Sequence, residues 1–174
     1  AHGFAAPAEA YAQATGAGIG AARVMLPDHI RPQLRKFQGP TLEMEFAPST
    51  PSGSFAAKAL AELLDMSHWA DGVLLAGDLG RNSETAIVLE KFVAKTTLPI
   101  VITKDAVDYF TSSPQTLLVR KDVCLVLSMA QLQKLATHAK FPTPITFSMD
   151  LLRLVEALHQ FSKQFGIHII VKHG

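Results

Sequence analysis

The pattern of apolar and polar positions is clearest between Trp69 and Phe110. Gly72–Ala76 and Ile100–Ile102 are short apolar runs with the length of buried strands. Between them, apolar residues recur at helical spacing at Ala86, Val88, Leu89, Phe92 and Val93. Two apolar strands joined by a helical crossover are typical of a parallel sheet covered by helices. In such sheets function lies at the strand carboxyl ends, here Ala76–Arg81 and Thr103–Asp108.

Strand-like and helix-like segments alternate over the rest of the chain as well. Further strands are predicted at Ala21–Leu26, Thr41–Phe46, Val123–Leu127 and Ile167–Val171. Further helices are predicted at Ala1–Thr15, Asp28–Gln38, Phe55–Met66, Met129–His138 and Asp150–Gln164. Pro48–Ser54 is rich in Pro and Ser and is predicted to be a flexible connection. The alternation predicts an α/β sandwich with a mostly parallel sheet, in a single domain over residues 1–174.

Two helix starts have capping signals. Asn82 and Ser83 offer N-cap oxygens to the helix of the central unit, and Glu84 is predicted to lie in its first turn. Ser148 is the predicted N-cap of the helix at Asp150–Gln164, and Gly166 is predicted to end that helix. The buried face predicted for that helix consists of Leu151, Leu154, Val155, Leu158 and Phe161.

The composition excludes several classes of protein. The chain has 174 residues, of which 48% are hydrophobic and 18% charged, and its net charge is +1. There is no long run of Lys or Arg, so we expect no nucleic-acid partner. No apolar stretch approaches the length of a membrane span, so we expect no membrane partner. The single cysteine, Cys124, excludes an internal disulfide framework, and its apolar neighbours predict a buried strand position.

Two further expectations concern the cellular context and the ends of the chain. A lone cysteine fits a reducing cytoplasm, which is the compartment we expect. The sequence begins with Ala1 inside a predicted helix and stops directly after a predicted strand. We therefore expect segments to be missing at one or both ends. The sequence leaves open whether the chain forms a homo-oligomer.

Glycine-rich turns are the first candidates for chemistry. Gly77–Gly80 lies between a strand and a helix start, where backbone N–H groups can bind an anion. A plain structural turn explains the same residues equally well. No G-K-[ST] follows, which excludes a Walker P-loop. Gly16–Gly20 precedes a strand instead of opening a helix, so close packing explains it better than a phosphate loop does.

Charged residues at strand ends are the second group of candidates. Lys104, Asp105 and Asp108 follow the second central strand. One of the two acids could bind a hydroxyl group or a metal, or both could cap the next helix. Lys172 follows the last strand and could reach a phosphate there, although a solvated strand end is the simpler interpretation. The 7 His residues lack metal-ligand spacing, so no metal site is predicted, and there is no G-x-S-x-G elbow.

These motifs together resemble a known family. A-D-G-V-L-L-A-G-D-L-G-R-N-S-E-T followed by L-P-I-V-I-T-K-D-A-V is similar to the C-terminal domain of the YjeF-type proteins, the ADP- or ATP-dependent NAD(P)H-hydrate dehydratases. The residues that match the family's G-P-G-L-G-R and D-A-D-A-L segments are Leu79, Gly80, Arg81, Pro99, Asp105 and Ala106. An Ala-rich helix ending in G-A-G before a strand, and the strand with lysine at Ile169–Lys172, are also similar. The resemblance implies a three-layer ribokinase-like sandwich.

The chain departs from the family pattern at several positions. Ala76, Gly77 and Asp78 stand where the family has G-P-G, which places a carboxylate at an expected anion site. Thr103 replaces the first aspartate of D-A-D-A-L, and His173 replaces the glycine after the lysine. L-S-M-A-Q stands where the family has L-T-P-H and a glutamate. The G-x-G-D segment with the family's catalytic aspartate is absent from these residues.

The resemblance implies an activity and a set of ligands. The activity is ADP- or ATP-dependent dehydration of hydrated NADH or NADPH, a carbon–oxygen lyase reaction that repairs a damaged metabolite. The cofactor would be ADP or ATP with Mg²⁺. Gly80 and Asp105 would contact the hydrated dinucleotide, and Lys172 would face the nucleotide phosphates. Two alternatives remain open, namely a degenerate, non-catalytic nucleotide-binding or regulatory member of this fold and a small-molecule kinase.

Overall fold

The computed structural model describes residues 5–34, 43–77 and 79–172. The described helices and strands, in chain order, are α1 (Ala5–Gly16), β1 (Val24–Pro27), α2 (Arg31–Leu34), β2 (Met44–Ala47), α3 (Ala59–Ser67), β3 (Val73–Leu75), α4 (Ser83–Lys95), β4 (Ile100–Thr103), α5 (Asp108–Thr111), α6 (Gln115–Leu118), β5 (Val123–Leu127), α7 (Met129–His138), α8 (Leu151–Phe165) and β6 (His168–Val171). The predicted alternation of strands and helices is therefore confirmed, and the chain is an α/β protein.

The contacts divide the chain into two compact units. Unit 1 comprises residues 1–69 and 76–95, and unit 2 comprises residues 70–75 and 96–174. Unit 1 contains β1 and β2, which pair in parallel with Val24 opposite Met44. Unit 2 contains a parallel sheet of four strands in the order β3-β4-β5-β6. The prediction of a single domain stays a prediction.

The glycines after α1 terminate a helix. The N–H groups of Ala17, Gly18 and Ile19 donate to carbonyl oxygens in the last turns of α1, at 2.9 to 3.2 Å. Gly18 has a φ of +84°, the left-handed conformation that commonly ends helices. Because these N–H groups are bonded and lie at the negative end of the helix dipole, the turn does not offer a phosphate cradle. The close-packing interpretation is wrong as well, because Gly16, Gly18 and Gly20 are exposed and a Cβ built at any of them would meet no atom within 4 Å.

Hydrogen bonds in unit 1 join α4 to the segment before α3. Asn82 Oδ1 accepts from the N–H groups of Glu84 (2.8 Å) and Thr85 (3.4 Å), so the predicted N-cap is confirmed. The Glu84 carboxylate accepts from the Ala57 N–H at 2.6 Å. The Thr85 hydroxyl donates to the Phe55 carbonyl at 2.8 Å. The first turn of α4 therefore fixes the backbone that leads into α3.

The four-stranded sheet has one buried and one partly exposed face. Ile100, Ile102 and Leu125 belong to the buried face, where each side chain is almost completely inaccessible. On the opposite face the exposed fraction is 49% for Leu74 and 57% for Ile170. Half-buried Cys124 lies on that face, level with Val101 of the neighbouring strand, and burial raises the pKa of its thiol. The apolar runs predicted burial on both faces, and this expectation is wrong for the strand residues exposed here.

The start of α8 differs from its prediction. Asp150, not Ser148, is the N-cap, since its Oδ1 accepts from the Arg153 N–H at 2.9 Å. Asp150 has the extended backbone that an N-cap needs, with φ −66° and ψ 160°. The residues of α8 that are buried are Leu154, Ala157 and Phe161.

The buried face predicted for α8 is correct only in part. Leu151 and Val155 have exposed fractions of 61% and 52%, and Leu158 is half-buried. Leu154 and Phe161 are buried, as predicted. The apolar stripe of α8 is wider than the surface that unit 2 covers, so helical spacing alone does not identify the buried positions.

An arginine joins the two segments that precede β4 and β5. The Arg120 guanidinium binds both oxygens of Asp122, at 2.9 and 2.6 Å. It also donates to the carbonyl oxygens of Thr96 and Leu98, the latter at 2.7 Å. The Asp122 carbonyl accepts from the Ile100 N–H at 3.0 Å. These bonds hold β4 and β5 at their amino-terminal ends.

Replacing isoleucine by alanine should destabilise the protein much more on the buried face of the sheet than on the exposed face. Ile102→Ala removes a fully buried side chain and is expected to lower the free energy of unfolding by about 2–5 kcal/mol. Ile170→Ala makes the same change on the exposed face and should cost about 1 kcal/mol or less. Urea unfolding followed by circular dichroism measures both values. Equal losses would mean that the exposed face is covered in solution.

Removing the arginine should destabilise the sheet. Arg120→Ala leaves a half-buried carboxylate and two carbonyl oxygens without their donors, so we expect a loss of about 2–4 kcal/mol in the free energy of unfolding. Lys121→Ala removes a neighbouring exposed cation and should change stability by less than about 0.5 kcal/mol. Denaturant unfolding measures the free energy of unfolding of both variants. If both lost equally little stability, Arg120 would not be needed to hold β4 and β5 together.

Candidate functional site

Polar residues follow β4, β5 and β6 at one edge of the unit 2 sheet. The register places Thr103, Val126 and Ile170 at the same level of these three strands. Asp105 comes two residues after Thr103, and Lys172 comes two residues after Ile170. With a strand spacing of about 4.8 Å, the two chain positions are separated laterally by roughly 10 Å. The structure thus brings Asp105 and Lys172 to the same edge of one sheet.

The backbone turns sharply directly after β4. Lys104 has a φ of +55°, a left-handed conformation that costs about 1–2 kcal/mol for a residue other than glycine. Lys104–Val107 then forms a 3₁₀ turn that leads into α5. Neither the 3₁₀ turn nor α5 has a side-chain N-cap bond, so capping by Asp105 and Asp108 is not observed. The Asp105 side chain is exposed.

Gln131 connects this turn to α7. Its Nε2 donates to the Lys104 carbonyl and to Asp108 Oδ1, both at 3.0 Å. Its Oε1 accepts from the Ser128 N–H at 3.0 Å, and the Ser128 hydroxyl accepts from the Gln131 N–H at 3.2 Å. Ser128 and Gln131 therefore form a capping box, and the same amide holds the strained carbonyl of Lys104. Asp108 is bonded within the protein at this site.

Lys172 lies at the end of β6. Its backbone N–H donates to the Leu127 carbonyl at 3.4 Å, which continues the pairing of β6 with β5 by one residue. The side chain is exposed. An ammonium group at this position is available to an anionic ligand that approaches the sheet edge.

The glycine turn between β3 and α4 belongs to unit 1 from Ala76 onward. Gly77 and Gly80 have φ values of +102° and +76°, so both need the freedom of glycine. Asp78, where we expect a charge that disfavours anions, lies outside the described residues, and so does His173. Gly80 is therefore in a different unit from Asp105 and Lys172.

Sequence reasoning missed the role of Gln131. The S-x-x-Q spacing at Ser128 is a capping-box signature and could have indicated the start of α7. The bonds to Lys104 and Asp108 carry no local signal, because they join residues 27 and 23 positions apart. In residues 5–34, 43–77 and 79–172 no group of three His, Cys, Asp or Glu side chains could hold a metal ion. None of the helices described there is long and apolar enough to span a bilayer.

Comparison with known proteins identifies the fold. No protein-family model matches the sequence, and no curated protein matches it. Among solved structures, a ribokinase-like superfamily protein from Enterococcus faecalis V583 is similar over 90% of this chain, with 17% sequence identity and a TM-score of 0.63. The chain spans 48% of the length of that protein. The predicted ribokinase-like α/β fold is thereby confirmed.

Replacing the amide of Gln131 by a carboxylate should destabilise the protein in a pH-dependent way. Gln131→Glu keeps an oxygen for the Ser128 N–H but places a second one against Asp108 and the Lys104 carbonyl. We expect a loss of about 1–3 kcal/mol in the free energy of unfolding at pH 7.

The pH dependence has a defined sign. The Asp108 carboxylate raises the pKa of the introduced carboxyl above its unfolded value of about 4.3, so the loss should shrink as the pH falls through that raised pKa. Gln160→Glu is the matched control, because its oxygen still accepts from Thr143 and the site is exposed. Urea titrations at pH 7 and at about pH 4 measure the difference. A loss that is independent of pH would contradict the proximity of Asp108.

Proposed function

We propose that this chain binds ADP or ATP at the carboxyl edge of the unit 2 sheet and belongs functionally with the NAD(P)H-hydrate dehydratases. The proposal rests on one observation, namely that Asp105 and Lys172 lie at the same edge of the unit 2 sheet. They are the two residues of unit 2 to which the resemblance assigns ligand contacts. In open α/β sheets ligands bind outside the carboxyl ends of the strands, which is the edge where Asp105 and Lys172 lie. A cytoplasmic location is part of the proposal.

The residues at the edge fit a phosphorylated ligand. Lys172 presents an exposed ammonium at the end of a strand, where it can pair with a phosphate oxygen. Mg²⁺ in phosphate sites is usually held by one or two carboxylates together with substrate phosphates and water. Asp105 is exposed and supplies one such carboxylate. A nucleotide with Mg²⁺ could therefore be held by one cation and one acid from neighbouring parts of this edge.

The chemistry would then be divided among few groups. The nucleotide, when bound, supplies the phosphoryl group that activates the hydroxyl of the hydrated substrate for elimination. Lys172 would orient the phosphates, and Asp105 would position the substrate or the metal ion. Gly80, to which the resemblance assigns a contact with the hydrated dinucleotide, lies in unit 1, where its φ of +76° needs the freedom of glycine. Residues 1–174 do not contain the G-x-G-D aspartate that the resemblance assigns as the base.

A non-catalytic nucleotide-binding protein is the second candidate. The observation that favours it is the bonding of Ser128 and Gln131, which stand where the family has its histidine segment. The amide of Gln131 donates to the Lys104 carbonyl and to Asp108, and this segment lacks the histidine with which the family contacts its substrate. An edge arranged in this way could bind phosphates without promoting their transfer.

Nucleotide binding can be tested by thermal unfolding. ADP, ATP, NADH and NADPH are added with Mg²⁺, and a ligand that binds the folded state raises Tm by mass action. We expect ADP or ATP to raise Tm, and Lys172→Gln to weaken that nucleotide's binding about 10- to 100-fold through loss of a charge-assisted contact. Lys163→Gln removes an exposed charge from α8 and should leave the Kd unchanged.

The outcomes separate the two candidates. Stabilisation by a reduced dinucleotide as well as ADP or ATP, followed by conversion of hydrated NADH or NADPH, would support the dehydratase. Stabilisation by ADP or ATP without conversion would support the non-catalytic candidate. No stabilisation by any of the four nucleotides, or equal weakening by the two lysine variants, would overturn nucleotide binding at Lys172.

A further inference from the structure

Four large apolar side chains lie on the surface of unit 2 at the amino-terminal end of α8. The exposed fractions are 69% for Phe147, 61% for Leu151, 69% for Leu152 and 52% for Val155. Leu151 and Leu152 are four and three residues before Val155, so these three side chains belong to one face of the helix. We call the four residues the α8 patch.

Phe147 extends the patch beyond the helix. It lies in a turn that the Met149 N–H closes by donating to the Thr146 carbonyl at 3.3 Å. Because Phe147 comes four residues before Leu151, their Cα atoms are at most about 14 Å apart. The α8 patch therefore continues from the first turns of α8 onto the segment that precedes the helix.

Contacts on the other side of α8 prevent the helix from turning the patch inward. Phe161 is fully buried, and its ring packs edge-to-face against Phe141 with 5.0 Å between the centroids. The segment before α8 is anchored as well, because Gln133 Nε2 donates to the carbonyl of buried Ile145 at 3.0 Å. Rotating α8 to bury Val155 would bring Phe161 out of the core. The patch therefore stays exposed in the single chain.

The area of the patch can be compared with the area that a dimer needs. Four large side chains with these exposed fractions present roughly 400 Å² of apolar surface. Soluble monomers rarely expose contiguous apolar patches larger than a few hundred Å², and larger ones mark interaction sites. A standard interface buries about 800 Å² on each partner, of which roughly 480 Å² is apolar. The α8 patch thus supplies most of the apolar area that one copy must contribute.

The charges along α8 are balanced. Arg153 and Asp150 form an exposed ion pair at 3.5 Å, and α8 also carries Glu156 and Lys163. The whole chain has a net charge of +1, so two copies repel each other little. Balanced charge does not select a strongly acidic or strongly basic partner. It favours a partner with the same size of apolar patch and the same charge balance, which a second copy of this chain provides.

We propose that the α8 patch is a dimer interface on which a second copy of this chain packs. Two-fold dimers are the commonest soluble oligomers, and they bring the same patch of both copies together. With the two α8 helices antiparallel and the two-fold axis at the level of Arg153, Leu151 of each copy lies opposite Val155 of the other. Leu152 lies next to the axis, and Phe147 extends over the helix of the second copy.

Sedimentation equilibrium over a range of protein concentrations tests the proposal. We expect a reversible monomer–dimer equilibrium with a Kd of about 1–100 µM, since interfaces of standard size reach micromolar affinity without unusually strong contacts. Leu152→Lys places a charge next to the two-fold axis and should raise the Kd of the dimer about 30-fold or more.

Val119→Lys is the matched control. Val119 is an apolar residue of unit 2 outside the patch, and its exposed fraction is 80%, so the same kind of change should leave the Kd of the dimer unchanged. Both variants alter exposed residues and should keep the Tm of the monomer, which thermal unfolding at a protein concentration below the Kd verifies.

A pair of charge substitutions tests whether the occupant is a second copy. Leu151→Lys and Val155→Glu should each raise the Kd of the dimer. A chain with both substitutions places the introduced ammonium of each copy opposite the introduced carboxylate of the other. Its Kd should be at least about 5-fold lower than that of either single variant, and added salt should reduce this recovery.

Three results would overturn the proposal. The first is a monomer at every protein concentration, and the second is an equal effect of Leu152→Lys and Val119→Lys on the Kd of the dimer. The third is a double variant that associates no better than its two parents, which would exclude the antiparallel pairing of α8. None of these results depends on nucleotide binding, which is measured through Lys172.

Discussion

The guanidinium of Arg120 is the interaction on which the organisation of unit 2 depends. It joins Asp122, before β5, to the carbonyl oxygens of Thr96 and Leu98, before β4. Parallel strands have no tight turn between them that could set their register, so the register must be fixed by contacts of this kind. Once β4 and β5 are aligned at their amino ends, their carboxyl ends are aligned as well. The levels of Thr103 and Val126, and through β6 that of Ile170, follow from this alignment.

At the carboxyl ends of the same strands, some polar side chains are hydrogen-bonded within the protein and others are exposed. Gln131 belongs to the first group. Its side-chain amide accepts from the Ser128 N–H at the start of α7 and donates to the Lys104 carbonyl and to the carboxylate of Asp108. Asp105 and Lys172 have exposed side chains at this edge. The distinction matters for function, since a group already bonded within the protein must lose that bond before it can act on a ligand. Asp105 and Lys172 could therefore contact the proposed nucleotide without such a loss.

The local pattern of the sequence correctly predicts most helices and strands. It does not predict the features that depend on tertiary contacts. The strands at Val73–Leu75, Ile100–Thr103 and Val123–Leu127 follow from buried apolar runs, and α4 follows from its spacing and the Asn82 cap. The N-cap of α8 was assigned to Ser148, because a serine and an aspartate two residues apart give the same signal and the backbone conformation of Asp150 decides between them. The buried face of α8 and the bonds of Gln131 depend on which surfaces the fold brings together. The spacing of apolar residues along the chain does not encode those contacts.

The glycines of the turn at Ala76–Arg81 show why a family-like motif is not by itself evidence of a binding site. The turn follows β3 of unit 2 along the chain and leads into α4 of unit 1, so it forms part of the connection between the two sets of contacts. Gly77 and Gly80 both have positive φ values. A side chain at either position would strain the backbone regardless of the space around it. The family-like glycines of this turn are therefore required by the path of the chain, whether or not a ligand binds there. Their presence alone is therefore weak support for a binding site.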